Sequence, residues 1–128
     1  MSIREKLHVM VVDDMSTSRG LLTQGLEALG VVNQRDVNDG ATAFNMISQQ
    51  PVHLVISDYN MPGLNGLELL EKLRRQAHTQ KIAFILVTGK PTPDIVAKGK
   101  ALRVNSILKK PFTNVELRDS IEKVVGRL

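Results

Sequence analysis

The fold is decided by the stretch His8-Val9-Met10-Val11-Val12-Asp13-Asp14, in which a short apolar run leads directly into two acids. A short, β-branched run of this kind is typical of a buried strand. The arrangement returns at residues 53–57, which precede another aspartate, and further apolar runs lie at residues 82–87 and 106–109. With a weaker run at 31–37, these stretches predict five strands.

Helical patterns separate the predicted strands. Leu22, Leu26 and Leu29 recur at helical spacing, and Gly30 stops that pattern. The predicted helices cover residues 16–29, 41–50, 67–77, 94–102 and 113–128. Strict alternation of strands that are apolar on both faces with helices predicts an α/β fold of five βα units. The expected architecture is a doubly wound parallel sheet between two layers of helices.

Length and composition limit the possible classes of protein. The chain has 128 residues, of which 42% are hydrophobic and 23% charged, so we expect residues 1–128 to form one globular domain with no output domain. The absence of cysteine excludes disulfides, thiolate metal sites and a cysteine nucleophile. No apolar run approaches the ~20 residues of a membrane span, and no signal peptide is recognisable. We therefore expect a cytoplasmic protein without a membrane partner.

Charge divides the chain into two unlike halves. Residues 1–64 hold four Lys/Arg and seven Asp/Glu, whereas residues 65–128 hold thirteen and six. Between Lys90 and Lys110 there are six basic residues and one acid, Asp94. A nucleic-acid surface is disfavoured because this segment has no aromatic residue for base stacking and no helix-turn-helix pattern. Two interpretations stay open, a docking face for an acidic partner and an ordinary solvated helix face.

Polar residues follow four of the five predicted strands. In an open α/β sheet, ligands bind outside the carboxyl ends of the strands, so these side chains are expected to share one edge. The residues are Asp13-Asp14, Asp58, Thr88-Gly89 and Lys109-Lys110-Pro111. Three carboxylates, a hydroxyl and an ammonium group are therefore predicted to converge.

Clustered carboxylates repel one another unless a cation or a shared proton neutralises them, and Mg²⁺ suits a site that also receives water and phosphate. An aspartate can act as a nucleophile toward phosphorus, and a lysine and a threonine would then stabilise the transferred group. Lys110 is the better candidate for that lysine, whereas Lys109 is expected to face solvent. The competing interpretation of Asp13-Asp14 is a cap for the following helix, although Ser16 and Thr17 already offer caps.

Together these residues resemble the receiver domains of two-component signalling, and most closely the response regulators of chemotaxis. The resemblance covers the whole chain. It rests on the strand-end residues and on the stretches 12–19, 56–63, 67–70 and 110–112. It implies a flavodoxin-like sheet with strand order 2-1-3-4-5.

The resemblance also implies a role for each residue of the predicted site. Asp58 would accept a phosphoryl group from a histidine kinase, and Thr88 and Lys110 would hold its oxygens. The implied Mg²⁺ ligands are Asp13, acting mostly through water, Asp14, Asp58 and the backbone carbonyl of Asn60. The resemblance further implies a cis Lys110–Pro111 bond, a small Gly89 that leaves the phosphate accessible, and residues tuning hydrolysis at Asn60 and Lys90.

One position departs from the family. Three residues before the phosphate-binding lysine, receiver domains usually carry an aromatic residue, and this chain has Ile107. The aromatic–threonine switch of the family cannot operate here with the same groups. Tyr59 either gates the site or is a solvent-facing loop aromatic. Structural roles are expected for the histidines, which have no ligand spacing, and for the phenylalanines, which are expected in the core. These residues are His8, His53, His78, Phe44, Phe84 and Phe112.

The resemblance implies a stand-alone, monomeric phospho-receiver between a chemotaxis-type histidine kinase and a partner such as the flagellar motor switch. It is not expected to be an enzyme beyond its own phosphorylation and autodephosphorylation. One alternative is a phosphate sink for the same kinase, which needs the same site. Another is a Mg²⁺-dependent phosphohydrolase, which is disfavoured because Asn60 stands where such enzymes often place a second acid.

Overall fold

A computed structural model describes residues 2–128. Its five strands form one sheet in the order β2-β1-β3-β4-β5, and all four neighbouring pairs are parallel. The predicted α/β architecture and strand order are confirmed. The elements are α1 (Ile3–Lys6), β1 (Val9–Val12), α2 (Ser16–Ala28), β2 (Gln34–Val37), α3 (Gly40–Gln49), β3 (Leu54–Asp58), α4 (Gly66–Arg74), β4 (Ala83–Thr88), α5 (Pro93–Ala101), β5 (Ser106–Lys109) and α6 (Asn114–Val125).

Two hydrophobic clusters lie on the two faces of the sheet. Alternate strand residues face opposite sides, so Met10 and Phe84 join one cluster while Val11 and Ile85 join the other. Helices α3 and α4 cover the first cluster, and α2 and α6 cover the second. Phe84 is fully buried as expected, whereas Phe44 and Phe112 are only half-buried at the cluster edges.

Some element boundaries differ from those predicted. Strand β2 begins at Gln34 and not at residue 31, because the N–H groups of Gly30 and Val31 complete the end of α2 by donating to Glu27 and Leu26 carbonyls. Gly30 adopts the left-handed conformation that such a helix end favours, with φ of +85°.

The ends of two later helices are also earlier than predicted. Helix α4 stops at Arg74 and not at residue 77, because the Thr79 hydroxyl donates to the carbonyl of Leu73 at 2.7 Å. Helix α6 stops before Gly126, whose φ is +95°. The short helix α1 was not predicted. Among residues 2–128, no helix is long and apolar enough to cross a membrane.

Candidate functional site

The carboxylates of Asp13, Asp14 and Asp58 meet at the carboxyl edge of the sheet. Strands β1 and β3 are neighbours, and Val12 pairs with Ser57, so the acids that follow come together. One oxygen of each carboxylate lies within 4.8 Å of the others. The convergence that the sequence predicts is therefore present for all three acids.

Asp58 is the member of this acidic cluster that lies nearest to a cation. Its residue surface is 5% exposed, and its Oδ1 lies 2.9 Å from Lys110 Nζ. Burial raises the pKa of Asp58 above its ordinary value, the charges of Asp13 and Asp14 raise it further, and Lys110 opposes both effects. The positive charge of Lys110 thus offsets only part of the negative charge of the three carboxylates.

Lys110 is placed by the backbone at the end of β5. Its N–H donates to the carbonyl of Thr88 at 2.9 Å, and the Lys110–Pro111 peptide bond is cis. The Nζ atom lies 3.7 Å from Asp13 Oδ2 in addition to its contact with Asp58. Lys109 is exposed to solvent. Of the two neighbouring lysines, Lys110 is therefore the one that reaches the site.

Asp13 is fully buried, and protein donors engage both of its oxygens. The N–H of Met15 donates to Oδ1 at 3.0 Å, and the Ser18 hydroxyl donates to Oδ2. Arg19 Nη1 donates to the Asp13 carbonyl at 2.9 Å. Sequence reasoning did not identify Ser18 or Arg19 as partners of Asp13, although both fall within the motif 12–19.

Helix α2 is capped neither by Ser16 or Thr17, as the sequence suggested, nor by Asp13-Asp14, which was the competing interpretation. The residue before the first turn is Met15, which makes no side-chain cap, and the helix begins at Ser16. Ser16 and Thr17 thus lie within the first turn, where their hydroxyls do not act as caps. Asp13 accepts from Met15 outside the helix, so its carboxylate is not the N-cap either.

A cleft of about 400 Å³ opens over Asp58. Asn60, Thr88 and Lys110 line it, and Gly89 has no heavy atom within 4 Å of the position that a Cβ would occupy. The Thr88 hydroxyl accepts a hydrogen bond from the Lys90 N–H at 3.2 Å. The cleft thus gives open access to Asp58 beside a hydroxyl and an ammonium group.

Tyr59 separates this cleft from a second cavity. The backbone of Tyr59 is held by two hydrogen bonds. Its N–H donates to the carbonyl of Val87 at 2.8 Å, and its carbonyl accepts from the N–H of Gly66 at 2.9 Å. The half-buried side chain packs on the first hydrophobic cluster and lines both the cleft and a cavity of about 440 Å³ between α4 and α5. Tyr59 is thus a wall residue of the site and not a fully solvent-facing aromatic.

Ile107 lies behind the site on β5. It is half-buried and packs on the first hydrophobic cluster. Its Cδ1 would lie 3.7 Å from a Cβ placed on Gly99 of α5, and Gly99 itself is buried. Ile107 is therefore in position to contact α5 but not to expose a large surface.

The histidines lie away from the acidic cluster. The backbone N–H of His8 donates to His53 Nδ1 at 2.9 Å, and the centres of the two imidazole rings are 5.7 Å apart. His78 Nε2 lies 2.9 Å from the carbonyl of Ser48. Across residues 2–128, the acidic cluster is the only group of three or more potential metal-ligating side chains.

Comparison with known proteins shows which family the chain belongs to. Residues 9–122 match the family described as the response regulator receiver domain. The chain belongs to this family. It is 41% identical over 128 residues to a "Probable chemotaxis protein CheY" of Rhizobium etli, covering 100% of this chain and 99% of that protein. It is 31% identical over 122 residues to the chemotaxis protein CheY of Pseudomonas aeruginosa, covering 95% and 98%.

Solved structures share the fold of this receiver domain. Chemotaxis protein CheY4 of Vibrio cholerae superposes with a TM-score of 0.86 at 26% identity, covering 92% of this chain and 98% of that chain. The receiver domain of a sensor histidine kinase from Pseudomonas aeruginosa superposes with a TM-score of 0.81 at 21% identity, covering 94% and 98%. That second structure is described as having a magnesium ion coordinated in its active-site cleft.

The acidic cluster of this receiver domain has the ligand chemistry of a magnesium site. Carboxylate oxygens are hard ligands, and Mg²⁺ is usually bound through one or two carboxylates with water and phosphate completing its shell. The three carboxylates exceed the single ammonium of Lys110 in charge, so a divalent cation is electrostatically favoured between them. The residues present therefore fit the ion that the family implies.

Five basic residues of the segment 90–110 face solvent. They are Lys90, Lys98, Lys100, Arg103 and Lys109. The sixth, Lys110, faces the acidic cluster and so does not belong to this exposed basic surface. Lys98 forms an ion pair with Asp94 at 3.2 Å along α5. The surface remains positive overall because the segment has only that one acid.

Proposed function

We propose that this chain is a phospho-receiver of chemotaxis signalling, phosphorylated on Asp58 by a histidine kinase with the help of Mg²⁺. The observation that carries the proposal is the pairing of buried Asp58 with Lys110 at 2.9 Å, beside two further carboxylates and under an open cleft. A nucleophilic carboxylate, a positive group and an access route for a phosphodonor thus occur together.

The transfer step follows from this arrangement. An oxygen of Asp58 attacks the phosphorus of a phosphohistidine, the P–N bond breaks, and the imidazole leaves with the electron pair of that bond. Lys110 turns from Asp58 toward the phosphoryl oxygens, where its charge is needed, and the Thr88 hydroxyl donates to one of them. Positioning and positive charge are the main requirements of such a transfer.

The Mg²⁺ ligands in this proposal are the carboxylates of Asp14 and Asp58 and the backbone carbonyl of Asn60, with Asp13 acting mostly through water. Asp14 suits direct coordination because, within residues 2–128, its carboxylate makes no hydrogen bond or ion pair. When bound, the cation supplies charge neutralisation between the carboxylates and the phosphoryl group.

Phosphorylation is proposed to change the surface formed by β4, β5 and α5. The Thr88 hydroxyl is tied to the Lys90 N–H, so its movement toward a phosphoryl group pulls on or releases the loop 89–93. That loop leads directly into α5, and Ile107 packs behind it without an aromatic ring to swing. The output is therefore a shift of loop and helix and not an exchange of a large side chain.

The proposed partner is an acidic surface, such as that of a flagellar motor switch protein, docking on the exposed basic surface of α5 and its flanking loops. The similarity to a probable chemotaxis protein supports this choice of pathway. The test is to titrate a motor-switch peptide against the protein with and without the phosphoryl mimic beryllofluoride. Tighter binding with the mimic supports the proposal, whereas phosphorylation without any change in binding favours a phosphate sink.

A further inference from the structure

The structure assigns Ser18 as a positioning residue that holds the Asp13 carboxylate and thereby sets the affinity of the acidic cluster for Mg²⁺. The Ser18 hydroxyl, on the first turns of α2, donates to Asp13 Oδ2. The inference rests on the proposed function in one respect, which is that the acidic cluster binds Mg²⁺. It adds a residue outside the cluster that controls how well the cluster does so.

Both oxygens of Asp13 depend on donors from the loop and helix that follow β1. Asp13 has no exposed surface, so it has no alternative partners in bulk solvent. Oδ1 accepts from the Met15 N–H at 3.0 Å, and Oδ2 accepts from Ser18. A buried carboxylate that loses a donor rotates to find another or attracts a counter-charge, because an unpartnered buried oxygen is costly.

Lys110 cannot replace Ser18 during phosphotransfer. Its Nζ is 3.7 Å from Asp13 Oδ2, which is beyond hydrogen-bond distance, and only 2.9 Å from Asp58 Oδ1. Once Lys110 turns to a phosphoryl group, Ser18 is the remaining side chain that holds Oδ2 of Asp13. The hydroxyl therefore keeps this carboxylate in place in every stage of the cycle.

The effect of Ser18 is separable from that of its neighbour Arg19. Arg19 Nη1 holds the backbone carbonyl of Asp13 at 2.9 Å, so removing the Ser18 hydroxyl leaves the backbone held. Only the orientation of the carboxylate is then lost. Partners that orient ligand carboxylates typically change metal affinity by about 10–100-fold when they are removed, and the lower end of this range is expected here because Asp13 acts on the ion mostly through water.

The test is the Mg²⁺ dissociation constant of the full chain by isothermal titration calorimetry, with no phosphodonor present. Ser18→Ala is expected to bind Mg²⁺ about tenfold more weakly than the wild type. Ser18→Thr keeps the hydroxyl and is expected to restore most of the affinity. The matched control is Thr17→Ala on the same turn, because Thr17 is exposed and its hydroxyl has no hydrogen bond within residues 2–128; its affinity is expected to be unchanged.

One result would overturn the role of Ser18 while leaving the proposed function intact, and that is wild-type affinity, or tighter binding, in Ser18→Ala. If that variant also melts at a lower temperature than the wild type, the role of Ser18 is structural only. If Ser18→Ala does not fold, Ser18→Cys carries a weaker donor in nearly the same volume and should show an intermediate loss. Failure of the wild type to bind Mg²⁺ contradicts both the proposed function and this inference.

Discussion

The hydroxyl of Thr88 accepts a hydrogen bond from the backbone N–H of Lys90 at 3.2 Å. This bond connects the last residue of β4, which borders the acidic cluster, to the loop that enters α5. Thr88 is 6% exposed, whereas Lys90 is exposed, so the bond joins the buried site to the surface. If the hydroxyl moves toward Asp58, the hydrogen bond must therefore either break or move the loop with it.

The first prediction is that beryllofluoride shifts the NMR signals of residues 89–93 and of α5. Thr88→Ser, which keeps the hydroxyl, should show the same shifts, and Thr88→Ala should lose most of them. The expected cause is that the phosphoryl mimic draws the Thr88 hydroxyl toward Asp58. A free-energy difference of a few kcal/mol is enough to change the populations of the two positions of the loop. A loop that stays fixed while Ile107 changes rotamer would show that an aliphatic form of the family switch operates here.

The second prediction concerns stability and pH. Burial raises the pKa of Asp58, so the folded state binds its proton more readily than the unfolded state. The free energy of unfolding then falls as the pH rises above 3.8, the ordinary pKa of an aspartate. This decrease in stability is complete once the pH exceeds the pKa of Asp58 in the folded state. Without metal at pH 7, Asp58→Asn should therefore melt a few degrees higher than the wild type, with the difference vanishing below the ordinary pKa.

A contrast variant checks the sign of this effect. Asp39 caps α3, and the Thr42 N–H lowers the pKa of its carboxyl. Asp39→Ala should therefore lower the melting temperature at pH 7, with the loss disappearing as the pH falls below 3.8. Added Mg²⁺ should stabilise the wild type more than Asp58→Asn, because ligand binding stabilises the folded state that binds it. A lower melting temperature for Asp58→Asn at pH 7 without metal would contradict the electrostatic account.

The third prediction is that docking of an acidic partner depends on charge. Reversal of Lys98 and Lys100 to glutamate should lower the association rate about tenfold at low ionic strength, and the difference should shrink as salt is added. The matched control reverses Lys6 and Lys123, which are exposed and lie on α1 and α6, outside the segment 90–110. Equal rates for both double variants, or a salt-independent rate, would leave the segment as an ordinary solvated face.

The fourth prediction is that Gly66 is required for the position of Asp58. A Cβ on Gly66 would lie 2.5 Å from the Asp58 carbonyl oxygen and 2.7 Å from Leu86 Cδ1. Gly66→Ala should therefore lower the unfolding free energy by about 1–3 kcal/mol and slow phosphorylation. Gly20→Ala is the control, because nothing lies within 4 Å of its Cβ and it sits inside α2. That variant should gain about 0.5–1 kcal/mol, as measured by chemical denaturation.

The sequence predicted those parts of the molecule that follow from periodicity and from strand ends. Asp58 and Lys110 could be placed at one edge because each comes at the end of a predicted strand. The contact of Ser18 with Asp13 could not, since a hydrogen bond between a helix turn and a strand end leaves no periodic pattern. The start of β2 was misplaced for a related reason: Val31 is as apolar as a strand residue, yet its N–H completes a helix end.

The most direct test of the account is mass spectrometry of the intact chain after incubation with acetyl phosphate. The wild type with Mg²⁺ is predicted to gain the mass of one phosphoryl group. No phosphoryl group is predicted to be gained at a comparable rate by Asp58→Asn or by the wild type with EDTA. Uptake by Asp58→Asn at the wild-type rate, or uptake by the wild type that EDTA does not change, would contradict the assignment of Asp58 as the Mg²⁺-dependent phosphoacceptor.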